Sequence, residues 1–409
     1  MKDSKRIIKP FWIVVIITIS IYSCKKESLP DYKYFVSKEL AFSFSQSSIE
    51  SVIDLYANTY PGMEEIIPYL TTGIKVYKIV YNTSVDGVDI EASGLVCTPD
   101  IEGEYAVLSF QNGTNTVYAN APSINPAYPN FLLVEYLASM GFVVVIPDYP
   151  GFGESSNIPH PYLIKEPTVQ SVVDMLRALE EAVSYEFTGI DTKDEYYLLG
   201  YSQGGWATLA LHKALELEYS DEFTLAGSVC GAGPYNIYNL FLQILGSQEF
   251  PMPSYLCYII NAYTLYDQFT NPVSDLLNYQ YADLLPSLFD GTMNLSQIND
   301  QLTTSISELF TTEFLSGYVS SASFSSVREA TIKNSVSGWN SSVPLFFGHG
   351  DNDTDVSVSA TETMYSEMIS AGTSVNLCKK VIYPGLDHGS ALAPCIKDGL
   401  LFLLDIRDN

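Results

Sequence analysis

Near the middle of the chain, a serine is flanked by glycines in the stretch Gly200-Tyr201-Ser202-Gln203-Gly204, and Gly205 follows. An apolar run at 196–199 precedes this stretch, and apolar residues at helical spacing follow it. The pattern G-x-S-x-G between a strand and a helix is typical of a nucleophile elbow, a tight turn that exposes the serine hydroxyl at the end of a sheet. Glycines on both sides permit the close backbone approach that such a turn needs. Ser202 is therefore the candidate nucleophile.

A serine hydroxyl is a weak nucleophile at neutral pH and needs a neighbouring base, which a third group must orient. The chain has four histidines, at 160, 212, 349 and 388. His160 precedes the serine, His212 lies within the helix predicted after it, and His349 ends a later strand. His388 follows the last predicted strand, in the segment 385–389. In the chain order serine, acid, histidine, His388 is the candidate base.

The candidate acid lies in the loop 349–356, where three aspartates alternate with other residues. Asp353 best fits the expected spacing, and Asp351 and Asp355 remain rivals. Together with Glu362, the three aspartates also match four ligand positions of an EF-hand loop. However, Val356 stands where that loop needs glycine, and the flanking elements read as strand then helix. We therefore predict no metal site here.

An acyl-transfer site also needs backbone N–H groups that stabilise the oxyanion. One is expected from Gln203, directly after the nucleophile. The other is expected from the loop after the predicted strand 105–110, at Asn112 or Gly113.

The elements around these residues indicate an α/β protein. Residues 73–98 alternate around Asp86-Gly87 and predict a hairpin, and strands then alternate with helices up to residue 231. This order predicts a mostly parallel sheet covered by helices on both faces. Residues 234–340 interrupt it with little strand pattern, so the sheet domain is expected to comprise 41–233 and 341–409.

The composition narrows the function further. The 409 residues are 47% hydrophobic and 16% charged, which allows a large core, and the formal net charge is −27. A nucleic-acid partner is not expected, because phosphate backbones need a basic surface. Cys378 and Cys395 could form one disulfide in an oxidising compartment, although sequence alone cannot establish it. The cysteine spacing suggests neither a zinc site nor a redox pair.

The N-terminus predicts a targeting segment. A basic start precedes an apolar stretch at 11–22, and Ile21-Tyr22-Ser23-Cys24 resembles a bacterial lipobox. We expect a signal peptide at 1–23, acylation of Cys24 and a lipidated tether at 24–40. Lys25 favours the outer membrane, on its periplasmic or outer face, by resemblance to lipoprotein sorting rules. Because Tyr22 is unusual in a lipobox, a plain signal peptide or an anchor helix stays open.

These motifs together resemble the secretory-lipase branch of the α/β-hydrolases, which includes fungal lipases of the lipase A type and bacterial esterases. The resemblance covers most of residues 75–405. It rests on the segments 110–114, 147–153, 160–163, 200–205, 231–235, 349–356 and 383–388.

The resemblance implies an α/β-hydrolase fold in which residues 234–340 form a helical cap. It also implies hydrolysis of carboxylic esters without a cofactor. The nucleophile, acid and base of the family fall on Ser202, Asp353 and His388, and its oxyanion donors fall on Gln203 and the Asn112 region. Asp148 and Tyr149 would line the floor of the active site.

The composition of residues 231–340 also indicates the class of substrate. Residues 231–340 hold two basic side chains, Arg328 and Lys333, among many Tyr, Phe and Leu residues. We therefore expect neutral, fairly apolar esters. Three alternatives stay open: an exopeptidase or amidase, an acetyl esterase acting on decorated polysaccharide, and a binding lipoprotein on an inactive hydrolase scaffold.

Overall fold

In the part of the chain that the structure describes, nine strands form a single sheet in the order β1-β2-β3-β5-β4-β6-β7-β8-β9. The computed structural model describes residues 31–60 and 62–409, and Tyr32–Asn409 form one compact unit. The predicted signal peptide and Cys24 lie outside the described residues. The strands are β1 (Phe35–Phe44), β2 (Ile74–Val85), β3 (Val88–Pro99), β4 (Gly103–Gln111), β5 (Phe142–Pro147), β6 (Ile190–Tyr201), β7 (Leu225–Gly231), β8 (Leu345–Gly350) and β9 (Cys378–Tyr383).

The six strands from β5 to β9 in the sheet order are parallel, and β1, β2 and β3 join them in antiparallel pairing. All six residues of β5 are buried. A fully apolar strand of this kind needs cover on both faces, which helices provide. The predicted α/β-hydrolase architecture, a mostly parallel sheet flanked by helices, is therefore confirmed.

Two groups of helices cover the sheet. The helices outside the segment between β7 and β8 are α1 (Gln46–Ala57), α2 (Pro129–Glu135), α3 (Lys165–Glu186), α4 (Gln203–Leu217), α14 (Ser359–Ser370) and α15 (Leu392–Asp408). Helices α3 and α4 pack their apolar sides on one face, in the core that contains Leu176 and Trp206. Helices α1, α2 and α15 pack on the other face, in the core that contains Ile53 and Leu403.

The chain between β7 and β8 folds into helices, several of them one turn long. They are α5 (Ile237–Leu245), α6 (Pro253–Leu265), α7 (Val273–Leu276), α8 (Tyr279–Ala282), α9 (Leu285–Leu288), α10 (Leu295–Asn299), α11 (Ile306–Leu309), α12 (Thr312–Gly317) and α13 (Ser325–Lys333). We call residues 234–340 the insertion. Within residues 31–60 and 62–409, no helix combines the length and the apolar character needed to cross a bilayer.

Two local features differ from the sequence-based expectations. Residues 35–40, expected within the tether, belong to β1, where Phe35 pairs with Tyr81. Cys378 and Cys395 do not form a disulfide: both are free and buried in the cores on opposite faces of the sheet.

Candidate active site

Ser202 lies at the junction of β6 and α4, where the backbone turns sharply. Its φ and ψ are 60° and −123°, a conformation that L-residues rarely adopt. Two backbone hydrogen bonds hold the turn, one from the Ser202 N–H to the Gly231 carbonyl (2.9 Å) and one from the Trp206 N–H to the Ser202 carbonyl (3.1 Å). Ser202 is half-buried and lies at the carboxyl end of the sheet.

The glycines after the serine allow α4 to approach the neighbouring strands. A side chain at Gly204 would collide with the Gln111 carbonyl, and one at Gly205 would collide with the Gly231 carbonyl. Gly200 and Tyr201 are the last two residues of β6. The Tyr201 hydroxyl donates to the His388 carbonyl at 2.7 Å, which ties the elbow to the loop after β9.

The structure brings His388 between the other two candidate residues. Its Nε2 lies 2.9 Å from Ser202 Oγ, and its Nδ1 lies 2.6 Å from Asp353 Oδ2. Because the ionised carboxylate only accepts, Nδ1 carries the proton and Nε2 is free to accept from the serine hydroxyl. The imidazole is therefore in the tautomer that a general base requires, with 14% of its side chain exposed.

Of the three aspartates in the loop 349–356, Asp353 is the one that faces His388, and its side chain is fully buried. Its Oδ1 accepts from the N–H groups of Asp355 and Val356, both at 2.9 Å, and its Oδ2 accepts from two histidines. Burial alone would raise the pKa of this carboxyl, but the hydrogen bonds from His349, His388 and Val356 outweigh burial and hold it below its ordinary value. Asp353 therefore stays ionised.

The two rival aspartates have other surroundings. Asp351 is exposed, and its Oδ1 accepts from the Gly385 N–H at 2.6 Å. Asp355 is half-buried and lines the cavity beside Ser202, where burial raises its pKa. Within the described residues, no cluster of three or more His, Cys, Asp or Glu side chains could hold a metal ion.

His349 is a functional candidate that the sequence analysis left without a role. Its Nε2 lies 2.8 Å from the Val356 carbonyl and 3.1 Å from Asp353 Oδ2, and its Nδ1 lies 2.8 Å from Thr361 Oγ1. Because two of these partners only accept, Nε2 carries the proton and donates to them. In the sequence, only the position of His349 at the end of a strand, directly before Gly350 and the loop with the three aspartates, pointed to this histidine.

The residues predicted for the oxyanion hole lie around the elbow. Gln203 begins α4, where an N–H has no acceptor within the helix. Asn112 is buried, and its amide donates to the Pro147 carbonyl at 2.5 Å. A methyl group at Gly113 would lie 3.6 Å from the Tyr201 carbonyl, so this loop borders the elbow. The choice between Asn112 and Gly113 as the second donor stays a prediction.

Asp148, which was expected to line the floor of the active site, is not among the residues that line the cavity beside Ser202. The Asp148 carboxylate is buried and accepts from Ser93 Oγ (2.6 Å), the Ser123 N–H (2.8 Å) and Ser123 Oγ (2.5 Å). It therefore joins the end of β5 to the middle of β3 and to the loop at 121–123. The Tyr149 hydroxyl contacts the Asn112 carbonyl at 3.3 Å.

A small cavity opens directly beside Ser202. Its walls are mostly apolar side chains of the insertion, and none of its lining residues is Lys or Arg. The lining residues are Tyr162, Leu163, Ser202, Gln203, Pro234, Leu240, Ile244, Phe250, Tyr255, Leu256, Ile259, Asp355 and Val356.

Comparison with known proteins agrees with this fold. The family model described as secretory lipase matches residues 117–388, two-thirds of the chain. The chain belongs to the secretory lipase family. It is accordingly a hydrolase of carboxylic esters, of the lipase and esterase class, and the expected family is confirmed. No protein with a curated description matches the chain in sequence.

Solved structures of the same fold include bacterial and fungal proteins. A presumed hydrolase of Legionella pneumophila is 26% identical with a TM-score of 0.80, over 91% of this chain and 98% of its own. The rice cell wall degrading esterase LipA of Xanthomonas oryzae is 23% identical with a TM-score of 0.74, over 92% and 97%. Lipase A of Candida antarctica in its closed state is 15% identical with a TM-score of 0.67, over 91% and 82%.

Proposed function

We propose that this lipase-family protein cleaves neutral, fairly apolar carboxylic esters through Ser202, His388 and Asp353. The observation that carries the proposal is the unbroken hydrogen-bond chain from Ser202 Oγ through the His388 imidazole to the Asp353 carboxylate, at 2.9 and 2.6 Å. Both distances are within the reach that proton transfer and tautomer control require.

The reaction follows from these contacts. Ser202 Oγ attacks the acyl carbon while His388 Nε2 takes the hydroxyl proton, and His388 then gives that proton to the leaving alcohol. A water molecule, deprotonated by the same nitrogen, releases the acid from the acyl-enzyme. Asp353 orients the imidazole and stabilises its charged form without itself being protonated. The N–H of Gln203 and one N–H at Asn112 or Gly113 would hold the oxyanion.

The substrate preference follows from the cavity. Its walls include Leu240, Ile244, Phe250 and Ile259, which suit an apolar acyl chain. Asp355 is its single charged lining residue, and this residue disfavours carboxylated or phosphorylated substrates. Neutral esters are therefore the preferred class.

One observation favours a second candidate. Asp355 lies in the cavity beside Ser202, where it could pair with the ammonium group of an aminoacyl substrate. An aminoacyl ester or exopeptidase substrate would use the same three residues. An acetyl esterase that acts on decorated polysaccharide is a third possibility. Rates on p-nitrophenyl acetate, p-nitrophenyl butanoate and alanine p-nitroanilide would separate the three.

We also propose that the mature protein is a bacterial lipoprotein, anchored in the outer membrane through acylated Cys24. The support is the lipobox-like sequence at 21–24. Mass spectrometry of the N-terminal peptide of membrane-bound protein tests this. An unmodified thiol at Cys24 would contradict it.

The mechanism is tested by Ser202→Ala. We expect kcat on p-nitrophenyl butanoate to fall at least about 1,000-fold, because the nucleophile acts as a unit with its base. Ser366→Ala, at an exposed position of α14, is the matched control and should keep the wild-type rate. A fluorophosphonate probe should label the wild type and the control but not Ser202→Ala. Retained turnover and labelling in Ser202→Ala would remove Ser202 from the mechanism.

A further inference from the structure

The loop at 112–117 follows β4 and borders the elbow, and it carries the expected second oxyanion donor. Its backbone belongs to no helix or strand, so contacts with other parts of the fold must fix its position. At its start, the buried amide of Asn112 donates to the Pro147 carbonyl. An N–H at Asn112 or Gly113 can meet the oxyanion only if the rest of this loop is held as well.

The insertion holds the far end of the loop. Thr116 is 4% exposed, and its Oγ1 donates to the Met293 carbonyl at 2.8 Å. Two residues further on, the Tyr118 N–H donates to the Gly291 carbonyl at 2.9 Å. Thr116 and Met293 are 177 residues apart in sequence, so only the folded insertion supplies this acceptor.

Aromatic rings connect the insertion to the middle of the loop. Tyr258 of α6 stacks on both Tyr162 and Phe289, with ring centroids 4.2 and 4.5 Å apart. The Tyr258 hydroxyl donates to the Asn115 carbonyl at 3.3 Å, and the Tyr162 hydroxyl lies 2.8 Å from Thr114 Oγ1. Burial raises the pKa of both phenols, so both keep their protons. The insertion thus contacts the loop directly at Asn115 and, through Tyr162, at Thr114.

We propose that the insertion positions the loop that carries the second oxyanion donor, and that Thr116 is the positioning residue through which it does so. The inference rests on the proposed ester hydrolysis at Ser202 and gives the insertion a part in stabilising the transition state. Thr116 is not among the residues that line the cavity beside Ser202, so it acts through the loop. Because the carbonyl oxygen becomes an oxyanion only in the transition state, a displaced donor lowers kcat more than it weakens substrate binding.

The test is Thr116→Val, which keeps a similar shape and removes the hydroxyl. We expect kcat on p-nitrophenyl butanoate to fall about tenfold, with KM within about twofold of the wild type. This loss is smaller than the factor of about 100 or more that removal of an oxyanion donor costs, because the donor is displaced and not removed. Thr331→Val in α13 is the matched control, because the Thr331 hydroxyl also donates to a carbonyl, that of Arg328 at 2.9 Å. The control should keep the wild-type values.

A boronic acid separates the position of the oxyanion donor from a general loss of order. Butylboronic acid forms a tetrahedral adduct with a nucleophilic serine, and one of its oxygens takes the place of the oxyanion, so its affinity reports on the donor. Its inhibition constant should rise about tenfold in Thr116→Val and stay unchanged in Thr331→Val. Tyr258→Phe removes the hydroxyl that donates to Asn115 and keeps the ring stack. It should lower kcat and raise the inhibition constant as well.

Two results overturn the inference. The first is a wild-type kcat and a wild-type inhibition constant in Thr116→Val. The second is a higher KM with an unchanged inhibition constant, which would mean that Thr116 shapes the substrate site instead. Should Thr116→Val fail to fold by circular dichroism, Tyr258→Phe decides by the same criteria. A wild type that neither hydrolyses p-nitrophenyl butanoate nor reacts with a fluorophosphonate would instead overturn the proposed function, and this inference with it.

Discussion

Glu135 provides a quantitative test of how the core of this protein is built. It is the last residue of α2, it is fully buried, and neither carboxyl oxygen has a hydrogen-bond partner within residues 31–60 and 62–409. It lies close enough to Cys97 that, after burial, its charge is the second cause that raises the pKa of that thiol. An unpaired carboxylate at such a site is costly, so the group stays protonated.

The magnitude follows from the shift in pKa. Burial raises the pKa of Glu135 from 4.5 to about 8. The folded protein therefore binds one more proton than the unfolded chain between these values, and stability falls as pH rises through that window. The difference between the two pKa values corresponds to about 5 kcal/mol in total, at about 1.4 kcal/mol for each tenfold change in proton affinity, of which about 3 kcal/mol falls between pH 5.5 and pH 8.5.

The perturbation is Glu135→Met, which keeps a side chain of similar length without an ionisable group. Between pH 5.5 and pH 8.5, we expect the unfolding free energy of the wild type to fall by about 3 kcal/mol more than that of the variant. The assay is urea unfolding followed by circular dichroism at both pH values. Glu91→Met, at an exposed position of β3, is the matched control and should retain the wild-type pH dependence.

The reasoning about Glu135 would be refuted by one comparison. If Glu135→Met and the wild type lose the same free energy of unfolding between the two pH values, the carboxyl does not titrate in this window. A variant that is less stable than the wild type at pH 8.5 would likewise contradict the account. In that case the carboxylate would have to be paired in the folded protein.

Two further predictions concern His349 and the thiols. His349→Phe removes a donor to Asp353 and should lower kcat about tenfold. The folded pKa of Asp353 is depressed, so its stabilisation is fully present above the unfolded value of 3.8 and is lost only as pH falls through the lower, folded value. The variant should therefore have a lower free energy of unfolding in urea than the wild type at pH 7, and an unchanged value would count against the contact. The five buried cysteines should react with a thiol reagent only after unfolding, and a reductant should leave the melting temperature unchanged; peptide mapping that finds Cys378 linked to Cys395 would contradict this. These cysteines are Cys97, Cys230, Cys257, Cys378 and Cys395.

The parts of the fold that local chemistry determines could be predicted from sequence. Asp86 and Gly87 both adopt positive φ, at 50° and 75°, and they join β2 to β3 as the Asp-Gly pair predicts. The all-apolar run of β5 indicated a strand buried on both faces. Ser202 and its glycines indicated the elbow, because few other turns need those residue types in that order.

Other elements carried no readable pattern. Only one of the ten residues of β1 is buried, so this edge strand lacks the alternation that would identify it within the expected tether. Helices α7, α8, α9 and α11 are four residues long, too short for a helical period to be read. The placement of β5 between β3 and β4 depends on a crossover that local sequence does not encode.

The contacts of His160 and His349 could not be predicted for a related reason. His160 meets Gln203 across 43 residues of sequence, and its tautomer depends on the Pro150 carbonyl, which only the folded loop presents. His349 and Asp353 are four residues apart, but their contact depends on how the loop after β8 bends. Spacing identifies which residues are capable of chemistry, whereas tertiary contacts decide which hydrogen bond each of them makes.

The surroundings of Asp353 determine its part in the proposed mechanism. Four donors converge on its two oxygens, and one of them, His349, is fully buried. A carboxylate with this many hydrogen bonds is too weak a base to take the proton from His388 during the reaction. Its contribution is therefore orientation and charge: it keeps the proton on Nδ1 and stabilises the imidazolium formed when Nε2 takes the proton of Ser202. The loop that supplies Asp353 thus acts through the imidazole and does not itself accept a proton.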